Sequence, residues 1–153
     1  MARTRPLTVL PDHTEQLIAR ALAEDIGSGD HSGASTIPAT ANGAAELRVK
    51  QPGVIAGVEL AQAICAQHDP RLQVEVHLPD GSTITPGDIV LTLTGPSRSI
   101  LLVERTILNF MQRMSGTATL TRAFVDAMAG THCRVLDTRK TTPTLRAIEK
   151  WAV

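Results

Sequence analysis

Apolar positions along the chain fall into two periods, and the switch between them marks the elements. Leu17, Ile18, Ala21 and Leu22 recur at helical spacing behind Asp12, with Glu15 three residues on as a capping-box partner. This predicts a helix from Asp12 to near Gly27. Leu72, Val74, Val76 and Leu78 alternate with Gln73, Glu75 and His77, the pattern of a half-buried strand with His77 on its solvated face. Ala45 to Lys50 and Ile89 to Leu93 read as further strands, and Asp80-Gly81 and Pro86-Gly87-Asp88 as turns. Between them, Glu59 to Gln67 reads as a helix.

Ser97 to Ser115 is predicted as the longest helix. Ile100, Val103, Ile107, Phe110, Met111 and Met114 form its apolar face, and Arg98, Arg105, Asn109 and Gln112 a polar one. Ser115-Gly116 is expected to interrupt it. A second helix carrying Leu120, Phe124 and Met128 then closes at Gly130. Cys133 to Leu136 follows as a buried strand. The chain next enters a helix from Thr144 to Val153, with Thr142 as N-cap, Pro143 at the first position, and Leu145, Ile148 and Trp151 on one face.

Composition narrows the function classes. Fifteen basic and fifteen acidic residues leave no net charge, so an anion site must be local, and neither nucleic acid nor an anionic membrane is indicated. With no Tyr, one Trp and two Phe, a base-stacking surface is not expected and the core must be aliphatic. No apolar run approaches the ~20 residues of a membrane span. Leu7 to Leu10 is too short for a signal-peptide core behind the basic Met1 to Pro6. Cys65 and Cys133 fall in a predicted helix and strand, which reads as two buried free thiols in a cytoplasmic protein. Glu24-Asp25-Ile26-Gly27-Ser28-Gly29-Asp30-His31 has the acids of a metal loop without its ligand spacing, so a structural turn is the expectation.

Chemistry concentrates near the end of the chain. Asp137-Thr138-Arg139-Lys140 leaves an apolar segment just ahead of a helix start, where unpaired N–H groups and the helix dipole already favour anions. Asp137 to Pro143 followed by Leu145-Arg146 resembles the signature of the quinolinate phosphoribosyltransferase (nicotinate-nucleotide pyrophosphorylase) family. So do the Leu101 to Thr119 helix, the Glu24 to Asp30 stretch and Gly53-Val54-Ile55-Ala56-Gly57. The four motifs stand in the family's order.

The resemblance implies an α+β fold: an N-terminal sheet-and-helix sandwich domain over residues 1–115, then the first strand and helix of an incomplete α/β barrel over 116–153. It implies phosphoribosyl transfer from phosphoribosyl pyrophosphate to quinolinate with decarboxylation, giving nicotinate mononucleotide, pyrophosphate and CO2 for NAD biosynthesis. Arg105 and Arg139 then become candidates for the quinolinate carboxylates and Thr138 a further substrate contact. Lys140 is the candidate catalytic residue, placed near a carboxylate or a phosphate. A homodimer in which Arg105 reaches the neighbouring site is implied as well. Magnesium is expected with the pyrophosphate, on ligands beyond Val153. The family pattern continues about as far again, so the chain reads as an inactive fragment whose last strand and helix expose apolar surface. A paralogue associated with molybdenum transport shares the motifs. A carrier-like or assembly module is a third reading, since the turns near Asp80 and Pro86 resemble carrier hairpins but hold no lysine.

Overall fold

A computed structural model describes residues 10–153, so Met1 to Val9 of the N-terminal stretch lie outside the described residues. Five helices and five strands follow in order. They are α1 (Thr14–Ile26), α2 (His31–Thr36), β1 (Asn42–Arg48), β2 (Gly53–Val54), α3 (Val58–His68), β3 (Gln73–Val76), β4 (Thr83–Ile84), β5 (Ile89–Pro96), α4 (Ser97–Ala127) and α5 (Arg146–Trp151). β5 is the centre of an antiparallel sheet ordered β1-β5-β3, and β2 and β4 pair as a separate ribbon. The α+β class is therefore as expected. Ile18, Leu60, Ile64, Leu91, Val103 and Ile107 are each at most 2% exposed and join α1, α3, β5 and α4 in one aliphatic core.

The α1 helix ends at Gly27 as its periodicity predicts, but its start differs. Thr14 sends both its amide (3.2 Å) and its hydroxyl (2.6 Å) back to the Pro11 carbonyl. That turn leaves His13 at φ 66° as the N-cap, with no side-chain cap bond. The Asp12–Glu15 capping box is not formed. Two turns behave as predicted: Gly81 and Gly87 take positive φ, and the Asp88 carboxylate accepts from the Thr85 amide at 2.7 Å.

The larger correction is α4. It runs unbroken for 31 residues, straight through Ser115 and Gly116. A mid-helix glycine costs only about 1 kcal/mol against alanine, and the buried stripe continues across it from Met111 and Met114 to Ala118. Two hydroxyls one turn apart on α4 also serve as a strand partner for the segment entering α3. Ser115 Oγ accepts from the Ala56 amide at 3.0 Å and donates to the Ala56 carbonyl at 3.3 Å. Thr119 Oγ1 accepts from the Val54 amide at 2.9 Å and lies 3.5 Å from the Val54 carbonyl. The fit is metric: four helical residues rise about 6 Å and two strand residues about 6.6 Å. It also explains the glycines on either side. A Cβ on Gly53 would lie 2.6 Å from Thr119 Oγ1, and one on Gly57 (φ 98°) would lie 3.0 Å from Met114 Sδ.

Beyond Gly130 the chain departs from expectation. Cys133 to Leu136 is not a strand; it finds no neighbouring strand among the described residues, and a single strand cannot satisfy its own backbone. Leu136 is 84% exposed and Cys133 is exposed, so only Cys65 is the buried thiol foreseen; burial pushes that thiol up to about 11. The last helix starts at Arg146 instead of Thr144, because Thr144 lies at φ 70°, outside helical backbone, and the Thr142 hydroxyl that would cap accepts from Arg113 Nη2 at 3.1 Å instead. The apolar face of α5 is not left open: Ile148 is 1% and Ala152 6% exposed against the rest of the core.

The sheet and helices meet at Asp69, which is 7% exposed. Its carboxylate accepts from Ser99 Oγ at the start of α4 (2.6 Å), and from Arg71 Nη2 (2.8 Å), Nε (2.9 Å) and backbone N (3.1 Å) at the start of β3. The Arg71 guanidinium and the Ser99 hydroxyl hold this carboxyl well below the usual carboxylate range. The folded state therefore binds the ionised form more tightly than the unfolded chain does. The stabilisation is fully present above an unfolded value of about 4 and is lost as pH falls through the lower folded value. Urea unfolding at pH 6 and pH 3 should show the wild type losing stability over that interval, and Asp69→Asn losing distinctly less. Thr119→Val, which strands the Val54 amide, should cost about 1–3 kcal/mol in the same measurement; an unchanged midpoint would show that the clasp contributes nothing.

Candidate functional site

Two elements, α1 and α4, bring basic side chains to one place. An open cleft of about 600 Å³ lies between α1 and α4, with Thr144 and Leu145 at its edge. From α4 it receives Arg105, Asn109 and Arg113, spaced one turn apart on one face, and Thr106 between them; from α1 it receives Arg20 and Asp25. The buried side of α4 fixes this presentation, because Val103, Ile107 and Met111 are locked in the core.

The three guanidinium groups stand in different conditions. Arg113 Nη2 donates to Glu149 Oε1 and to Thr142 Oγ1, both at 3.1 Å, and so ties α5 and the chain before it to α4. Bonds from Thr142 first, and then Arg113, hold the Glu149 carboxyl below its usual range. Arg105, whose side chain is 73% exposed, places Nε 3.1 Å from Asp25 Oδ1 and 3.3 Å from Oδ2. Neither of its Nη atoms has a hydrogen-bond partner among the described residues. Arg20 has no ion-pair partner among them. Thr106 is 4% exposed, and its Oγ1 is the one buried side-chain polar atom left without a partner among the described residues. The cleft thus offers guanidinium donors beside the carboxylates of Glu24 and Asp25, and the free donor edges suit a carboxylate or phosphate.

Of the residues singled out in the sequence, Arg105 lines this cleft, whereas Thr138, Arg139 and Lys140 do not. All three lie exposed on the segment between Gly130 and α5. The Lys140 amide donates to Thr138 Oγ1 at 3.1 Å, and Arg146 Nη2 donates to the Arg139 carbonyl at 3.3 Å. Asp137 pairs with Lys150 at 3.0 Å. The Arg139 and Lys140 side chains have no hydrogen-bond partner among the described residues.

The polar face of α4 divides. Asn109 shares the cleft with Arg105, but Gln112 faces a separate, mostly apolar groove beside Ser115, and Arg98 is spent on the Ala34 and Ile37 carbonyls at the end of α2. In the sequence Arg20 and Arg113 carried no role, and Asp25 only that of a structural turn. Arg113 had a usable signal, standing four residues beyond Asn109 as Asn109 does beyond Arg105. The Asp25 contact had none, because its partner is 80 residues away.

The acid-rich stretch is structural in part. Asp30 caps α2 by accepting from the Gly33 amide at 2.9 Å. Among the described residues there is no group of three or more His, Cys, Asp or Glu side chains that could hold a metal ion. No helix among them is long and apolar enough to cross a membrane. His77 is exposed, and its ring Nε2 lies 2.9 Å from Thr92 Oγ1.

Comparison with known proteins gives this geometry its context. Residues 30–115 match the family described as Quinolinate phosphoribosyl transferase, N-terminal domain, and residues 117–153 match Quinolinate phosphoribosyl transferase, C-terminal domain. The chain is 44% identical over 138 residues to a quinolinate phosphoribosyltransferase (decarboxylating) of Nicotiana glauca, covering 90% of this chain and 39% of that protein. A probable nicotinate-nucleotide pyrophosphorylase (carboxylating) of Synechocystis is 40% identical over 149 residues, covering 96% of this chain and 50% of that one. The crystal structure of NadC from Streptococcus pyogenes superposes with a TM-score of 0.91 at 36% identity, over 96% of this chain and 52% of that one. The chain therefore spans about half, or less, of the length of the relatives it matches. With one family description covering residues 30–115 and its companion nearly all that follows, the chain belongs to the quinolinate phosphoribosyltransferase family.

Proposed function

We propose that this chain forms part of an enzyme that transfers the phosphoribosyl group of phosphoribosyl pyrophosphate to quinolinate. The products are nicotinate mononucleotide, pyrophosphate and CO2, and the step serves NAD biosynthesis. The observation that carries this reading is the unpaired Nη end of Arg105, on a family-matched helix, facing open solvent. The ring nitrogen of quinolinate holds a lone pair, so no base is needed. It attacks the anomeric carbon as the bond to pyrophosphate breaks; the ring then loses one carboxylate as CO2, and the electron pair left on the ring carbon takes up a proton from solvent. Positive charge develops on the sugar while every other bound group is anionic. Catalysis then rests on placing guanidinium and ammonium groups where they hold the anions in line.

In this reading Arg105 and Arg139 each grip a carboxylate through the planar guanidinium fork, Thr138 adds a hydroxyl, and Lys140 adds a point charge near a carboxylate or phosphate. Arg105 lines a cleft that Thr138, Arg139 and Lys140 do not reach. That separation supports a working homodimer in which Arg105 of one subunit completes the neighbour's site. Residues 1–115 and 116–153 are two units of that subunit joined through α4, and the enzyme acts in the cytoplasm.

Arg105→Ala, in the active enzyme that contains this chain, should lower kcat/KM for quinolinate by about ten- to a hundredfold, the equivalent of a charge-assisted hydrogen bond. The melting temperature should barely change, because the side chain is largely exposed. Arg105→Lys should recover only part of the loss. Mixing Arg105→Ala with Lys140→Ala subunits should restore about a quarter of wild-type activity, since random pairing makes half the dimers mixed, each with one intact site. Wild-type use of quinolinate by Arg105→Ala would refute the assignment; no recovery in demonstrably mixed dimers would refute the shared site.

A further inference from the structure

We infer that Asp25 is a positioning residue for Arg105: it fixes one edge of the guanidinium so that the other is presented to a substrate carboxylate. The inference rests on the reading of Arg105 given above and adds the part of the site that aims it. It also gives the Glu24 to Asp30 motif a use beyond the turn and the α2 cap.

The geometry is specific. An arginine can offer a carboxylate two parallel N–H groups either from its side, through Nε and one Nη, or from its end, through both Nη atoms. Asp25 occupies Nε alone, with its two oxygens 3.1 and 3.3 Å away, and neither Nη donates to it. The end fork is therefore left whole, on a side chain whose χ angles are restrained at Nε. Without Asp25 a guanidinium that is 73% exposed would sample many rotamers.

The acid itself is well held. Its side chain is 24% exposed, in the last turn of a helix anchored by Ile18 (0%) and Leu22 (7%). Two acids, Glu24 and Asp25, close α1 with no basic residue in its last turn. That arrangement opposes the helix dipole, which disfavours negative charge at a C-terminus. A locally unfavourable choice of this kind marks a position set by something outside its own helix. Glu24 shares the cleft but makes no ion pair among the described residues, so the contact belongs to Asp25. As a bond for stability the pair is worth little, being mostly exposed. Its effect is on where the fork points.

The test is steady-state kinetics of the active enzyme with Asp25→Ala, Asp25→Asn, Arg105→Ala and the Asp25→Ala/Arg105→Ala double variant. Ordering a side chain that is not already held costs on the order of three- to tenfold in binding. Asp25→Ala should therefore raise KM for quinolinate by about that factor, with KM for phosphoribosyl pyrophosphate, kcat and the melting temperature nearly unchanged. Asp25→Asn keeps an oxygen for the Nε–H and should recover part of the loss. In the Arg105→Ala background, Asp25→Ala should add nothing, because there is no fork left to aim. If Arg105→Ala raises quinolinate KM and Asp25→Ala does not, the positioning role is wrong while the Arg105 reading stands. If Arg105→Ala has no effect, both fail together. A lower KM in Asp25→Ala would mean that the acid competes with substrate, and would also overturn the inference.

Discussion

The rest of the structure depends on a helix acting as a strand. β2 and the residues leading into α3 run along α4, and two of their backbone units find partners in Ser115 and Thr119 where a sheet neighbour would otherwise be required. Each hydroxyl both accepts and donates, so it can satisfy an N–H and a carbonyl of one residue. Buried backbone groups must be paired, and this is the local solution. Close approach follows, with Gly53 and Gly57 as its steric condition. The α3 start is then fixed against α4, and Asp80 reaches across to accept from the Val58 amide at 2.7 Å.

What could be read from the sequence was what a short window contains. The periodicity of α1, α3 and the first half of α4, the alternation of β3 and the turns at Asp80 and Pro86 are local, and all are present. β1 forms two to three residues earlier than its alternation suggested, because its register is set by pairing with β5. Events decided at long range escaped. Ser115-Gly116 reads as a helix break unless the strand that uses the serine is known. Cys133 to Leu136 reads as a strand, but strand propensity is mostly the fit to neighbouring strands, and none stands beside it among the described residues. Thr142 has the chemistry of a cap, yet Arg113 engages its hydroxyl and the positive φ of Thr144 breaks the first turn.

The same division holds for the candidate site. Arg105, Thr138, Arg139 and Lys140 could be picked out because they are cations and a hydroxyl inside recognisable motifs. Asp25 and Thr106 could not, because their significance lies in what they face. A threonine on an amphipathic helix carries no mark of whether its hydroxyl will be paired; only packing shows that Thr106 Oγ1 is both buried and free. The charge balance of the whole chain, which excluded a broad basic surface, is compatible with this cleft because its guanidinium groups converge by tertiary placement.

The unbroken α4 has a mechanical consequence. At about 1.5 Å per residue its 31 residues make a rod of roughly 46 Å, gripped by the sheet at one end and by the Arg113–Glu149 tie further along. The segments matched to the two halves of the family meet within this rod, around residue 116, with no flexible tether between them. A tether lets two bodies find many relative orientations, whereas a continuous helix allows nearly one. Angular play at Gly116 would be magnified along either arm, so a stiff joint there fixes how the Arg105 half of the helix is oriented relative to the residues that follow it. The joint transmits orientation as a splint does, and loosening it would blur distant geometry before it touched any contact in the cleft.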